Sequence, residues 1–239
     1  MRLLALDTAT EACTVALLTE HGLISESVEI GRGHAQEILG MVDRILAQGG
    51  VALTSLSGIA AGVGPGSFTG VRVSVAVAQG LAFGAGLPVV PISSLEALAL
   101  EAIGRGAERV LACLDARMGE VYWGCFAAEP LELLSAFGAS AVGPPAGVRL
   151  PEAATRPGSE PFVGIGRGFG VYPELTGIAG LSIAPADARA LPLAREMARL
   201  GAARLVAGGG MDPGFLEPLY VRDKVAMTEA ERGARTVGK

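Results

Sequence analysis

The sequence predicts an α/β fold built from a duplicated βββαβα unit, and three observations carry that reading. An apolar run over residues 3–6 ends at Asp7 and leads through a small polar turn into a second run, 13–18. The same order returns at 110–114, Asp115 and 121–126. Between the two copies, strand-like apolar runs alternate with helix-length segments, the mark of parallel pairing. The 239 residues are 50% hydrophobic and 18% charged, enough to bury a sizeable core as one large or two small domains. Gly104-Arg105-Gly106 precedes the second copy, so the expected division is residues 1–106 and 107–239.

Taken in order, residues 3–7, 13–18 and 23–30 read as three antiparallel strands, with Asp7-Thr8-Ala9-Thr10-Glu11 and Glu20-His21-Gly22 as turn chemistry. Residues 35–48 place Ile38, Leu39, Met41, Val42, Ile45 and Leu46 at helical spacing, closed by Gly49-Gly50. A buried strand at 58–63, a turn at Gly64-Pro65-Gly66, a strand at 87–92 and a helix at 93–103 follow. The segment 69–84 carries two conflicting signals. Val71, Val73, Val75 and Val77 alternate with Arg72, Ser74, Ala76 and Ala78, a strand pattern. The run has no turn signal, however, and far exceeds the usual strand of roughly 5–6 residues. Ser67 and Thr69 also suit a helix N-cap, so a helix is predicted. Being apolar nearly all round, it must be buried twice, by its own domain and by something else.

Beyond residue 127 the pattern weakens. Segments 143–147 and 152–161 read as loops, 162–165 as a strand, and 187–205 as a helix with Pro192 near its start and Arg195, Glu196 and Arg199 solvated. Residues after Val225 are charged and read as a frayed tail or a helix ordered by a partner.

Composition excludes several functions. The net charge is −5 and the basic residues are scattered, unlike the clustered footprint of a protein that grips nucleic acid alone, so any RNA is held by a partner. No run reaches the roughly 18 apolar residues of a membrane span, and Asp7 follows too soon for a signal peptide, so a soluble cytoplasmic protein is expected. Cys13, Cys113 and Cys125 form no CxxC pair, against a disulfide framework or zinc ribbon. His21 and His34 come with neither a serine motif nor HExxH spacing, so no catalytic residue and no metal site is expected.

Gly62-Val63-Gly64-Pro65-Gly66-Ser67-Phe68-Thr69-Gly70 lacks the lysine of a phosphate loop and reads as a tight turn packing two elements together. The glycine run 164–170 reads as a loop. Asp7 and Asp115, at the ends of matching strands, could hold Mg²⁺ beside a nucleotide's phosphates. Equally, each could cap its own turn, and no base or clamping lysine for hydrolysis stands nearby. The residues alone leave both readings open.

Four stretches match something specific: Leu3-Leu4-Ala5-Leu6-Asp7-Thr8-Ala9-Thr10, the block from Gly62 through Gly70-Val71-Arg72, Pro91-Ile92-Ser93-Ser94-Leu95-Glu96, and Leu114-Asp115-Ala116-Arg117-Met118-Gly119-Glu120-Val121-Tyr122. Over residues 1–126, with an echo at Pro218-Leu219-Tyr220-Val221-Arg222, the chain resembles the TsaB family, also called YeaZ. The resemblance implies the duplicated ribonuclease H-like fold of the actin, sugar-kinase and chaperone ATPase (ASKHA) superfamily. It implies a non-catalytic accessory subunit, a degenerate paralogue of the catalytic protein TsaD, required for threonylcarbamoylation of the adenosine beside the anticodon in tRNAs reading codons that start with A. Expected partners are TsaD, TsaE in a ternary complex, a second copy when TsaD is absent, and tRNA only indirectly.

The resemblance further implies that segments 35–48 and 69–83 meet TsaD, through His34, Ile38, Met41, Val42, Ile45, Val71, Val75, Ala78 and Ala82. Asp7, Thr8 and Asp115 would be remnants of a nucleotide cleft. No cofactor is expected on the chain itself, a nucleotide belonging only to the assembled complex. The rival from another class is a nucleotide-dependent hydrolase using Asp7 and Asp115; a peptidase is disfavoured for want of a triad or metal motif.

Overall fold

The computed structural model describes residues 1–130, 133–152 and 160–222. The tail after Val225 and most of the loop expected at 152–161 lie outside the described residues. Apolar alternation builds the first sheet from β1 (Leu3–Asp7), β2 (Ala12–Thr19), β3 (Gly22–Glu29), β4 (Gly58–Gly62) and β5 (Val89–Ile92), in the order β3-β2-β1-β4-β5. β1 runs antiparallel to β2 and parallel to β4. Both β1 and β4 are buried along their whole length, which is why they read as unbroken apolar runs. The second sheet contains β6 (Arg109–Arg117), β7 (Glu120–Glu129), β8 (Leu133–Ala136), β10 (Phe162–Ile165) and β11 (Leu181–Ser182), with β9 (Ala141–Gly143) paired to β7. Its order, β11-β10-β6-β7-β8, is the first sheet's order read from the other end. The duplication is therefore topological as well as sequential.

Among the described residues five helices cover the sheets: α1 (His34–Gly49), α2 (Phe68–Ala85), α3 (Ser94–Ile103), the short α4 (Gly168–Val171) and α5 (Ala194–Val206). Because side chains alternate across a strand, Leu4 and Leu6 of β1 pack beneath α1 and α2, whereas Leu3 and Ala5 face the central layer containing α5. α3 packs on β6 and β7 of the second sheet, and α5 on β1, β2 and β4 of the first. The two helices also touch, so Leu98, Val110, Met197 and Leu200 share one cluster with Leu3 and Val90. Elements on both sides of Gly104–Gly106, the expected boundary, share this core.

In the second half, between β10 and β11, the place of α2 is taken by α4 and a 3-10 turn at Pro173–Gly177, packed around Phe162, Phe169 and Leu175. Among the described residues, only the first half carries two long outer helices.

Several expectations need correction. The helix predicted over 187–205 is two elements: a 3-10 turn at Asp187–Arg189 and α5, which begins beyond Pro192 because proline disfavours helical backbone in the residue before it. Glu196 is buried, not solvated, and accepts from Arg195 Nε at 2.9 Å; burial raises its carboxyl pKa. The glycine run at 164–170 is not all loop but ends β10 and starts α4, with Gly166 at φ 118° packed on the Cys113 carbonyl. β8, β9 and β11, of 4, 3 and 2 residues, are too short for the periodicity to reveal. For 69–84 the helix prevails, with the Ser67 hydroxyl accepting from Gly70 N at 3.4 Å and Gly86 closing the far end at φ 67°.

Candidate docking face and the cleft beside it

The β1–β2 and β6–β7 turns line opposite sides of a cleft of about 390 Å³. Both turns are held the same way: Asp7 Oδ1 accepts from Ala9 N at 3.1 Å and Asp115 Oδ1 from Arg117 N at 2.8 Å, each bond reaching two residues on. Asp115 also accepts from the Tyr172 hydroxyl at 3.2 Å. Asp115 lines the cleft, but Asp7 does not. The glycine motif explains why. A Cβ on Gly66 would stand 2.2 Å from the Ala9 carbonyl oxygen and one on Gly70 2.1 Å from that of Thr8, so only glycine lets the start of α2 sit on the β1–β2 turn. Ser67 N donates to the Ala9 carbonyl at 2.7 Å, and the Thr8 hydroxyl donates to Gly70 O at 2.7 Å. Asp7 and Thr8 are thereby fully buried.

Charge in the cleft is already matched. Glu11 accepts from Arg117 at 2.7 Å and lies 3.5 Å from Arg167, which reaches Glu29 at 2.6 Å; Arg117 also pairs with Asp115 at 3.0 Å. Arg222, the third arginine of the lining, pairs with Glu120. A phosphate entering this space would meet guanidinium groups that each already hold a carboxylate. Among the described residues no group of three or more His, Cys, Asp or Glu is placed to hold a metal ion. Burial pushes the Cys13 and Cys113 thiols up to about 11 and about 12, which keeps both protonated and poor as nucleophiles near neutral pH.

Burial also pushes the Asp7 carboxyl up to about 7, against the opposing pull of the Ala9 and Thr8 N–H groups, and its Oδ2 has no partner among the described residues. The folded state thus binds the Asp7 proton more tightly than the unfolded chain does. Its contribution is complete below about pH 4 and is lost as pH rises through 7, by about 4 kcal/mol at the alkaline limit. Asp7→Asn keeps an acceptor oxygen for the turn and removes the ionisation. Its denaturation midpoint is expected to approach that of the parent at low pH and exceed it at pH 8; parallel profiles across that range would contradict the burial argument.

The helix faces correct the expected interface. Ile38, Met41, Val42, Ile45, Val71, Val75, Ala78 and Ala82 are all buried within the chain itself, covering the outer face of the first sheet, and cannot reach a partner. His34 is half-buried at the cleft. The sheet needs the larger side chains for cover, and the helices turn their widest apolar arc inward. α2 nevertheless keeps a second apolar face. Ala76, Gly80 and Gly84 are exposed at four-residue spacing, flanked by half-buried Val73 and Val77 and ended by exposed Phe68 and Phe83. In length and hydropathy α2 could cross a membrane, yet its other side lies in the core.

A strap from the C-terminal part widens this face. The Gln79 amide donates to the Pro213 and Leu216 carbonyls at 2.9 and 3.1 Å, and Leu219 N donates to Val63 O at 2.8 Å. Exposed Phe215, Leu219 and Tyr220 result. A concentration of large apolar side chains on one helix and its strap is the mark of an interaction surface. Sequence periodicity could not choose between the apolar sides of α2, although the small residues at 76, 80 and 84 were a usable signal for the one not filling the core.

A family model of TsaD, tRNA N6-adenosine threonylcarbamoyltransferase, matches residues 27–230. Over 228 residues the chain is 39% identical to the tRNA threonylcarbamoyladenosine biosynthesis protein TsaB of Escherichia coli, across 95% of this chain and 96% of that one. The chain belongs to the TsaB family. A TsaB of Haemophilus influenzae is 55% identical over 126 residues, 52% of each chain. The solved structure of YeaZ from Pseudomonas aeruginosa matches with a TM-score of 0.82 at 42% identity, over 92% of this chain and 99% of that one. TsaB membership therefore extends well past residue 126, where the recognisable motifs thin out.

Proposed function

We propose that the chain is a non-catalytic accessory subunit in tRNA threonylcarbamoyladenosine formation, working in the cytoplasm by binding and regulating the catalytic subunit TsaD, with TsaE joining the pair. The modified base is the adenosine next to the anticodon in tRNAs reading codons that start with A. The observation that carries this reading is the similarity to the Escherichia coli TsaB along nearly the whole of both chains. Geometry supports the mode of action. Among the described residues the long outer helices occur in the first half alone, and α2 presents a small-residue face on which a second helix can approach closely. A TsaD sharing this fold offers matching helices, and a second copy of this chain offers the same face when TsaD is absent. The paired arginines of the cleft and the net charge of −5 favour tRNA being held by the assembly and not by this chain. The test is reconstitution: TsaD, TsaE, ATP and the threonylcarbamoyl-adenylate donor modify tRNA when the chain is supplied and fail when it is omitted. Full modification without it would refute the role.

A further inference from the structure

We infer that Phe68, Arg72 and Tyr220, stacked where α2 meets the C-terminal strap, form a preorganised anchor for a carboxylate on the protein that docks on α2. This rests on the docking reading above and names the polar contact that would fix its register. The Arg72 guanidinium lies 3.8 Å from the Phe68 ring centroid and 6.0 Å from that of Tyr220, and its Nε donates to the Tyr220 hydroxyl at 3.0 Å. The two rings are 6.4 Å apart. One ring stands on α2, and the other comes from a strap 148 residues later in sequence, held in place by the Gln79 and Leu219 hydrogen bonds. An arginine fixed by stacking and by its Nε loses less rotamer freedom on binding than a free one.

The anchor lacks its anion. Nine of the fourteen described arginines reach a carboxylate within the chain; Arg72 is one of the five that make no ion pair among the described residues, and of those five it is the one stacked between two exposed aromatic rings. Phe68 and Tyr220 are both close to half exposed, which places the stack at the surface. Arg72 is also the one charged residue in α2. A nucleic-acid backbone needs several neutralising cations along its path, whereas a single oriented guanidinium beside an apolar helix face suits one aspartate or glutamate on a protein. Two residues past Tyr220, Arg222 pairs with Glu120 and donates to the Ala116 carbonyl at 3.1 Å, so the same strap ties this corner to the second half.

The test is calorimetric titration of the full chain with TsaD at about 50 and about 500 mM NaCl. Arg72→Gln is expected to weaken binding about 10-fold or more and to flatten the salt dependence. Arg72→Glu should weaken it further. Tyr220→Phe, which removes only the hydroxyl that orients Nε, should give a smaller loss of about 3-fold. Both sites are exposed, and melting curves establish that each variant is folded. Unchanged affinity and salt slope in Arg72→Gln, with binding still abolished by Ala76→Glu at the centre of the α2 face, would overturn the anchor and leave the docking face standing. If Ala76→Glu also bound normally, the docking face itself would fall. A loss confined to tRNA binding would assign the stack to RNA and overturn the proposal.

Discussion

Ala76→Glu is expected to abolish association with TsaD while leaving the chain folded. Ala76 is exposed at the middle of the outward face of α2, between half-buried Val73 and Val77 and one turn before Gly80, where no atom lies within 4 Å of a built Cβ. In the free chain the new carboxylate stands in water, and glutamate is nearly as good a helix former as alanine. In the complex it would be buried against apolar side chains without a partner, at about 3–5 kcal/mol, or two to three orders of magnitude in Kd. Titration calorimetry reads the loss and circular dichroism confirms the fold. A folded variant with parental affinity would move the interface off α2.

The neighbouring substitution should do the opposite. Val75 is 5% exposed and belongs to the cluster formed by Leu4, Leu6, Ile59 and Ile45 beneath the helices. Val75→Glu places a carboxylate in that cluster and costs about 3–5 kcal/mol, a large part of a net stability of about 5–15 kcal/mol. A sharply lowered melting temperature or insoluble protein is expected, with binding lost because the fold is lost. Parental melting behaviour would show that this side of α2 is not core. Two adjacent residues, one failing in the partner and one failing in the monomer, separate interface from core on a helix whose sequence is apolar on both sides.

That ambiguity marks the limit of what was legible in the sequence. The strand–acidic turn–strand repeat at Asp7 and Asp115 exposed the duplication, because matching turns use an aspartate to hold the backbone two residues on. The length of α2 and its Ser67 cap overrode the alternating valines. The face of α2 was not legible from apolarity: Val71, Val75, Ala78 and Ala82 are no more apolar than Val73, Ala76 and Val77, and only the small residues at 76, 80 and 84 mark the side that does not cover the sheet. Weakness beyond residue 127 has a physical origin too. There the counterpart of α2 shrinks to α4 and a 3-10 turn, and the edge strand β11 pairs through two residues. The cleft residues were found, but not that Gly66 and Gly70 bring α2 down over Asp7, since that depends on backbone contacts between distant segments.

The central claim is that the chain works by holding a partner and not through its own cleft. The most direct measurement is tRNA threonylcarbamoylation by TsaD and TsaE, with the adenylate donor and ATP, supplied in parallel with the parent chain, Ala76→Glu, or a folded Asp7→Asn/Asp115→Asn double variant. Parental modification with the double variant and none with Ala76→Glu is the predicted pattern. The reverse, a folded cleft variant that fails and an Ala76→Glu variant that works, would show that the cleft performs chemistry and that the α2 face is not where the partner is held.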